Sequence, residues 1–479
     1  MPAGDLGSGT PIPAMRADPQ IVHAIDGISP SRIQHTIAAL VGFRNRNTLS
    51  SMEADLPAGT GVSAAADWIE GQFKEISSEC GGCLEVKRDT FTQPAGTEPN
   101  SRVRQPTTLT SVYAVLRGTD RDQAARMMLV TGHYDSRATD VMDTHSEAPG
   151  ANDDASGVAV SLECARALSR LRLPATLVFV AVAGEEQGLF GSRHLAELAK
   201  QENWQLEGVL NNDIVGGNRT PGDKLQDAHA VRVFSESLPA SATPEEIRRI
   251  VLLGYESDSS SRELARAVTD VARTYTEAAG TASRKPSGLE PVLEFRRDRF
   301  LRGGDHTSFN QDGFAAVRFT EWREDFNHQH QNVRVENGVQ YGDLLQFVDF
   351  DYVARVAKLN AATLAVLAAA PPEPVNVTYP QEKVFDNSLN DTTIEWQNTP
   401  DTPPGTRYEI VWRATDAPDW QRSIVADKTK SYGVFKGGQT SQFTVTLPVS
   451  KDDVIFGVRA VDAAGHRSPA VVPWPARQR

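Results

Sequence analysis

The chain contains no run of about eighteen apolar residues, the length a membrane-spanning helix requires, so no such helix is expected. Its opening, Met1-Pro-Ala-Gly-Asp-Leu-Gly-Ser-Gly-Thr10, lacks the basic start and apolar stretch of a secretion signal. It reads as a flexible leader, such as a mature terminus with an added Met, and does not establish a cytosolic home. Positive charge is scarce: 49 Lys and Arg against 62 Asp and Glu give a net charge of −13. That balance argues against a nucleic acid as partner. Cysteine is scarcer still, with Cys80 and Cys83 in a Cys-Gly-Gly-Cys turn and Cys164 alone in a helical pattern. The Cys80/Cys83 pair lacks the second ligand pair of a structural zinc site. A helix before it and a strand after it do not suit a thioredoxin-like motif. The remaining readings are a local disulfide in an exported protein, or free thiols.

What is present describes more than one globular unit. The 479 residues are 39% hydrophobic and 23% charged, enough for a sizeable core and too long for one ordinary domain. Helical spacing is read at 30–48, 61–77, 156–171, 188–201, 258–276 and 350–369. Strands are expected at 84–91, 111–116, 127–131, 208–212, 291–295 and 315–319, with Ala175–Ala183 apolar enough for a central strand covered on both faces. This alternation implies an α/β fold, a mixed and largely parallel central sheet sandwiched by helices. Ligands in such folds bind beyond the C-terminal ends of the strands.

The character changes at Ala368-Ala-Ala-Pro-Pro-Glu-Pro374. Beyond it lie short alternating runs, Thr392–Trp396, Tyr408–Arg413, Gln442–Leu447 and Val454–Val461, which suggest an all-β, immunoglobulin-like sandwich. With its early Trp396 and its Val458-Arg-Ala-Val461 strand, this part resembles a fibronectin type III module. Phe456 stands near the place where many such modules have a corner tyrosine. The expected division is a leader at 1–28, a catalytic domain at 29–370, a linker at 371–375 and the module at 376–479. The module could contact a polymer, a surface or a substrate, or serve as a spacer; Trp396 and Trp412 are read as core residues.

Four segments carry chemistry, each where a strand ends. In Val130-Thr-Gly-His133-Tyr-Asp135, a neutral imidazole can bind metal while the aspartate takes the ring's other N–H; a polar loop reads the same way. In Gly150-Ala-Asn-Asp153-Asp154-Ala-Ser156, the carboxylates can cap a helix or bridge two cations. Ala183-Gly-Glu185-Glu186 follows the most apolar strand, where unpaired charge is costly, so one glutamate can coordinate and the other act as base. Asn212-Asp213 ends a further strand.

Taken together, His-x-Asp, Asn-Asp-Asp-x-Ser-Gly, Gly184-Glu-Glu-Gln-Gly-Leu-Phe-Gly-Ser192 and Asn-x-Asp resemble the di-zinc aminopeptidase family. That family also includes glutamate carboxypeptidases and glutaminyl cyclases, and the likeness covers about residues 30–370. It implies two Zn2+ ions, with His133 and Asp213 at one, Glu186 at the other and Asp153 bridging both. Glu185 would be the general base and Asp135 the residue orienting His133, with a cis Asp153–Asp154 peptide also implied. The last ligand is expected at His330, with His328 as the alternative, because Asp325-Phe-Asn-His-Gln-His330 departs from the family's usual wording. His306 is expected to support the site from behind rather than to ligate. The activity implied is removal of N-terminal residues from peptides with a free N-terminus; a secreted or periplasmic location is expected from the exported-disulfide reading of Cys80 and Cys83. A carboxypeptidase, for which Arg302 and Arg323 could supply the cation, a one-zinc cyclase and an inactive binding protein are the alternatives.

Overall fold

The computed structural model describes residues 9–218, 220, 222–276, 288–380, 390–426, 431–434 and 441–476. The chain divides into two compact units: Pro19–Ala265 with Tyr275–Ala368, and Met1–Asp18 with Arg266–Thr274 and Ala369–Arg479.

The larger unit is built on an eight-stranded sheet. Its strands are β1 (Leu84–Gln93), β2 (Thr107–Leu116), β3 (Arg126–His133), β4 (Thr176–Val182), β5 (Gln205–Asn212), β6 (Ala230–Ser235), β7 (Glu290–Glu294) and β8 (Ala316–Glu321). Their order is β1-β2-β4-β3-β5-β8-β6-β7. The centre, β4-β3-β5-β8, is parallel, while β1, β2 and the β8/β6 pair are antiparallel. The apolar run read as a central strand is β4, and every residue in it is buried. On one face Val178, Val180 and Val182 pack with Leu195, Ala196 and Phe309. Helices Ala155–Leu168 and Phe350–Ala369 are also almost wholly buried. Phe350–Ala369 is long and apolar enough to cross a membrane, with a mean hydropathy of 1.3, but 83% of that window is buried within the fold.

Three expectations change. The helix read at 30–48 stops at Gly42, and a 3-10 turn follows at Thr48–Met52. The cause is Arg46, which is fully buried and donates to the carbonyls of Leu40, Tyr134, Pro149 and Gly150. The helix read at 188–201 is two, Glu185–Gly188 and Phe190–Gln201, parted at Leu189 with φ 60°. The stretch read as a leader is partly ordered: Thr10–Pro11 pairs with Arg422–Ser423, and Pro19–Asp26 is a helix burying Ile21 and Ile25.

The smaller unit holds two sheets, one of five strands and one of four, the latter including Thr10–Pro11. Its core gathers Ile394, Trp396, Tyr408, Trp412, Phe456 and Val458. Trp412 is fully buried against Phe456, so the phenyl ring fills core space where a tyrosine hydroxyl would need a partner. Strand Val375–Tyr379 begins at the last residue of the expected linker.

Candidate metal centre

The parallel register brings the chemistry-bearing segments to one edge. His133 lies opposite Val182, Thr131 opposite Asn211 and Asn212 opposite Phe319. β3, β4 and β5 therefore end side by side and release His133, Glu185–Glu186 and Asp213 into one basin. The Asp153–Asp154 segment enters from the start of helix Ala155–Leu168, and its peptide bond is cis.

Asp154 ties these segments together. Its carboxylate caps its own helix through Gly157 N–H (2.9 Å) and accepts from His133 N–H (3.0 Å) and Ile214 N–H (3.2 Å). The capping reading of the Asp-Asp pair thus belongs to Asp154, which leaves Asp153 facing the basin. A side chain at Gly157 would place its Cβ 2.1 Å from the carbonyl oxygen of Asn212, so only glycine permits this approach. Gly184 has φ +72° and turns the chain from β4 into the two glutamates.

Two donor groups result. In one, His133, Glu185 and Asp213 offer atoms within 4.8 Å of one another; in the other, Asp153, Glu186 and His330 do so. Asp153 joins them: Oδ1 is 3.2 Å from Nε2 of His133 and Oδ2 is 2.9 Å from Nε2 of His330. Asp213 Oδ1 lies 3.9 Å from the His133 nitrogen. His330 Nε2 is also 3.1 Å from Glu186 Oε1, yet that buried oxygen receives no hydrogen bond. Histidine nitrogens and carboxylate oxygens converging with one acceptor left unsatisfied suit a cation that accepts both donor types, as zinc does. Burial works against a charge on His330, but Glu186 and Asp153 raise its pKa to about 10 in the metal-free protein. Burial holds Glu185 well above the usual carboxylate range, with Glu186, Asp213 and Asp305 adding to the effect against His133.

Asp135 meets the His133 ring with its backbone as well as its side chain. The closest acceptor to His133 Nδ1 is the backbone carbonyl of Asp135 at 3.1 Å, with its carboxylate at 3.5 Å. The ring's other N–H is still fixed, leaving Nε2 to face the basin. The carboxylate itself accepts from Thr48 Oγ1 (2.9 Å), Glu185 N–H (3.3 Å) and Glu186 N–H (3.1 Å).

The remaining candidates lie outside the two donor groups. His328 stacks on Phe347 and faces Asp325. His306 is buried, with Nε2 2.7 Å from the carbonyl of Arg297, and burial lowers its pKa to about 4. Arg302 pairs with Glu324 at 2.9 Å and Arg323 with Asp223 at 2.6 Å. Cys80 and Cys83 are joined by a disulfide.

Sequence reading missed several supporting groups. Asp343 accepts the backbone N–H groups of Asn152 and Asp153 at 2.7–3.0 Å, and burial raises its pKa to about 7. Arg318, fully buried on β8, lies 2.8 Å from Asp213. Asp305 is buried beside the basin with its pKa pushed up to about 7. Of these, only Asp305 sat in a segment with a recognisable pattern, Gly303-Gly-Asp-His306.

Comparison with known proteins gives the class. Residues 111–338 match the description Peptidase family M28. Over 471 residues the chain is 42% identical to a probable zinc metalloprotease of Leptosphaeria maculans, covering 98% of this chain and 100% of that protein. It is 41% identical to a probable zinc metalloprotease of Pyricularia oryzae, covering 98% of this chain and 87% of the relative. Among solved structures, the LapA aminopeptidase of Legionella pneumophila is 18% identical with a TM-score of 0.48, covering 75% of this chain and 78% of its own. The class is that of the zinc metallopeptidases, which are hydrolases. The chain belongs to peptidase family M28.

Proposed function

We propose that the protein is a di-zinc aminopeptidase, an exopeptidase that removes N-terminal residues from peptides. The observation that carries this reading is the carboxylate of Asp153, which offers one oxygen toward His133 and the other toward His330 with Glu185 beside them. His133, Asp153 and Asp213 would hold one ion, and Asp153, Glu186 and His330 the other. Zinc, when bound, supplies a water of lowered pKa and polarises the scissile carbonyl.

Glu185 acts as the general base. It stands with His133 and Asp213, and its carboxylate has no other assigned task. It takes a proton from the attacking water and returns it to the leaving amine. Asp135 holds the backbone of both glutamates, so Glu185 and Glu186 keep a fixed spacing. Arg302 and Arg323, the cations a carboxypeptidase would want, are already paired with Glu324 and Asp223. The Cys80–Cys83 disulfide supports a secreted or periplasmic location. The C-terminal sandwich is assigned as a fibronectin type III-like module.

Glu185→Gln tests the mechanism. The variant is expected to retain two zinc ions per chain and to lose turnover by about 10²–10⁴-fold. Ordinary activity in that variant would remove Glu185 as the base.

A further inference from the structure

We infer that Arg318 is a positioning residue that makes the two metal positions unequal. The Asp153/Glu186/His330 position binds tightly, while the His133/Asp213 position holds an exchangeable ion. This rests on the metal-centre reading above and extends it to the order of filling.

Arg318 lies on β8 with its side chain fully buried. Its Nη2 is 2.8 Å from Oδ1 of Asp213 and donates to the Asp213 backbone carbonyl at 3.3 Å. Its Nη1 donates to Asp298 Oδ2 at 3.3 Å and to the Gly303 carbonyl at 3.0 Å. The berth is shaped for this group: a Cβ on Gly304 would lie 2.5 Å from Nη1 and 3.4 Å from Asp213 Oδ2. Two acids and two carbonyls from two segments, Asp213 and the loop holding Asp298 and Gly303, thus fix the guanidinium against one candidate ligand.

The consequence is electrostatic. A carboxylate whose charge is already paired is a weaker donor to a cation, and the guanidinium repels that cation directly. Arg318 pairs with Oδ1, the same oxygen of Asp213 that lies 3.9 Å from His133 Nε2, so guanidinium and ion would share one donor atom. The other position has no such partner. Among the described residues, the ion pairs of Asp153 and Glu186 are with His133 and His330, themselves candidate ligands. Glu186 Oε1 is buried, and the nearest cationic group to it is His330 Nε2 at 3.1 Å. At that position the only partners of the two acids among the described residues are thus groups that would themselves turn to the ion, whereas Asp213 remains paired with Arg318 when its ion leaves.

Zinc-free full-length protein, given one equivalent of zinc and examined by anomalous diffraction at the zinc edge, tests the order without any substitution. The expected result is occupancy at Asp153/Glu186/His330, with the His133/Asp213 position filling only at about tenfold or more higher free zinc. Arg318→Met should narrow that gap by about tenfold or more through tighter binding beside His133, while Arg318→Lys, which keeps the charge, should preserve it. First filling beside His133, simultaneous filling, or looser binding beside His133 in Arg318→Met would each overturn the inference. Any of these in an enzyme that stays zinc-dependent and active leaves the peptidase reading standing. Zinc at neither position overturns both.

Discussion

Oδ2 of Asp135 accepts the backbone N–H of Glu186 at 3.1 Å, so the strand that ends in His133 holds the glutamate turn of its neighbour. The same oxygen accepts from Thr48 Oγ1, and Oδ1 accepts from Glu185 N–H. One side chain therefore sets the spacing between a candidate ligand of each donor group and the base. Asp135→Ala should lower zinc affinity by about 10–100-fold, the usual effect of losing such support. Dialysis against a graded chelator, with zinc counted per chain, measures this. Zinc retention equal to the parent protein would place the ordering of the turn elsewhere.

Glu236 should make stability fall with rising pH. Burial raises its pKa to about 7, although it accepts the Ala240 N–H at 2.9 Å. The fold therefore favours the neutral acid. The contribution is fully present below the ordinary glutamate pKa of about 4.5 and is lost between about pH 4.5 and 7, as the unfolded chain releases its proton first. Glu236→Gln keeps an acceptor for Ala240 and cannot ionise. It should flatten that part of the stability curve and add on the order of 3 kcal/mol at pH 8. Parallel curves for parent and variant in chemical denaturation would contradict this.

In the smaller unit, Arg459 bridges Asp270 at 2.7 Å and Glu409 at 2.9 Å, and all three are buried. Arg459→Ala leaves the two carboxylates to share Arg467, with Arg273 a further cation 3.7 Å from Asp270. Removing one partner of such a buried pair costs about 3–5 kcal/mol. A fall in thermal stability of that size, without a change in zinc content, is the expected outcome. No measurable loss would mean that water replaces the guanidinium.

The site's first contacts were legible because each is written locally. His133, Asp153, Glu185, Glu186 and Asp213 sit within a residue or two of a strand end or helix start, beside the glycines those turns need. β4 announced itself by the nearly continuous apolar run Ala175–Ala183. The supporting groups left no such trace. Asp343 reaches Asp153 across 190 residues and Arg318 reaches Asp213 across 105, so only the folded sheet joins them. Helix Pro244–Leu253 was missed for another reason. It buries little beyond Ile250, although its Thr243/Glu246 capping box and Gly254 mark both its ends in the sequence. Strand β6, Ala230–Ser235, was also passed over, although it is no shorter than strands that were read.

The central claim is metal-dependent removal of N-terminal residues. Its most direct test is hydrolysis of paired aminoacyl chromogenic amides, one set with a free amine and one with the amine blocked. Each set is assayed before chelation, after it, and after zinc is restored. The account predicts cleavage of the unblocked set alone, abolished by chelation and recovered with zinc. Cleavage of the blocked set, or none by fully zinc-loaded protein, would contradict it.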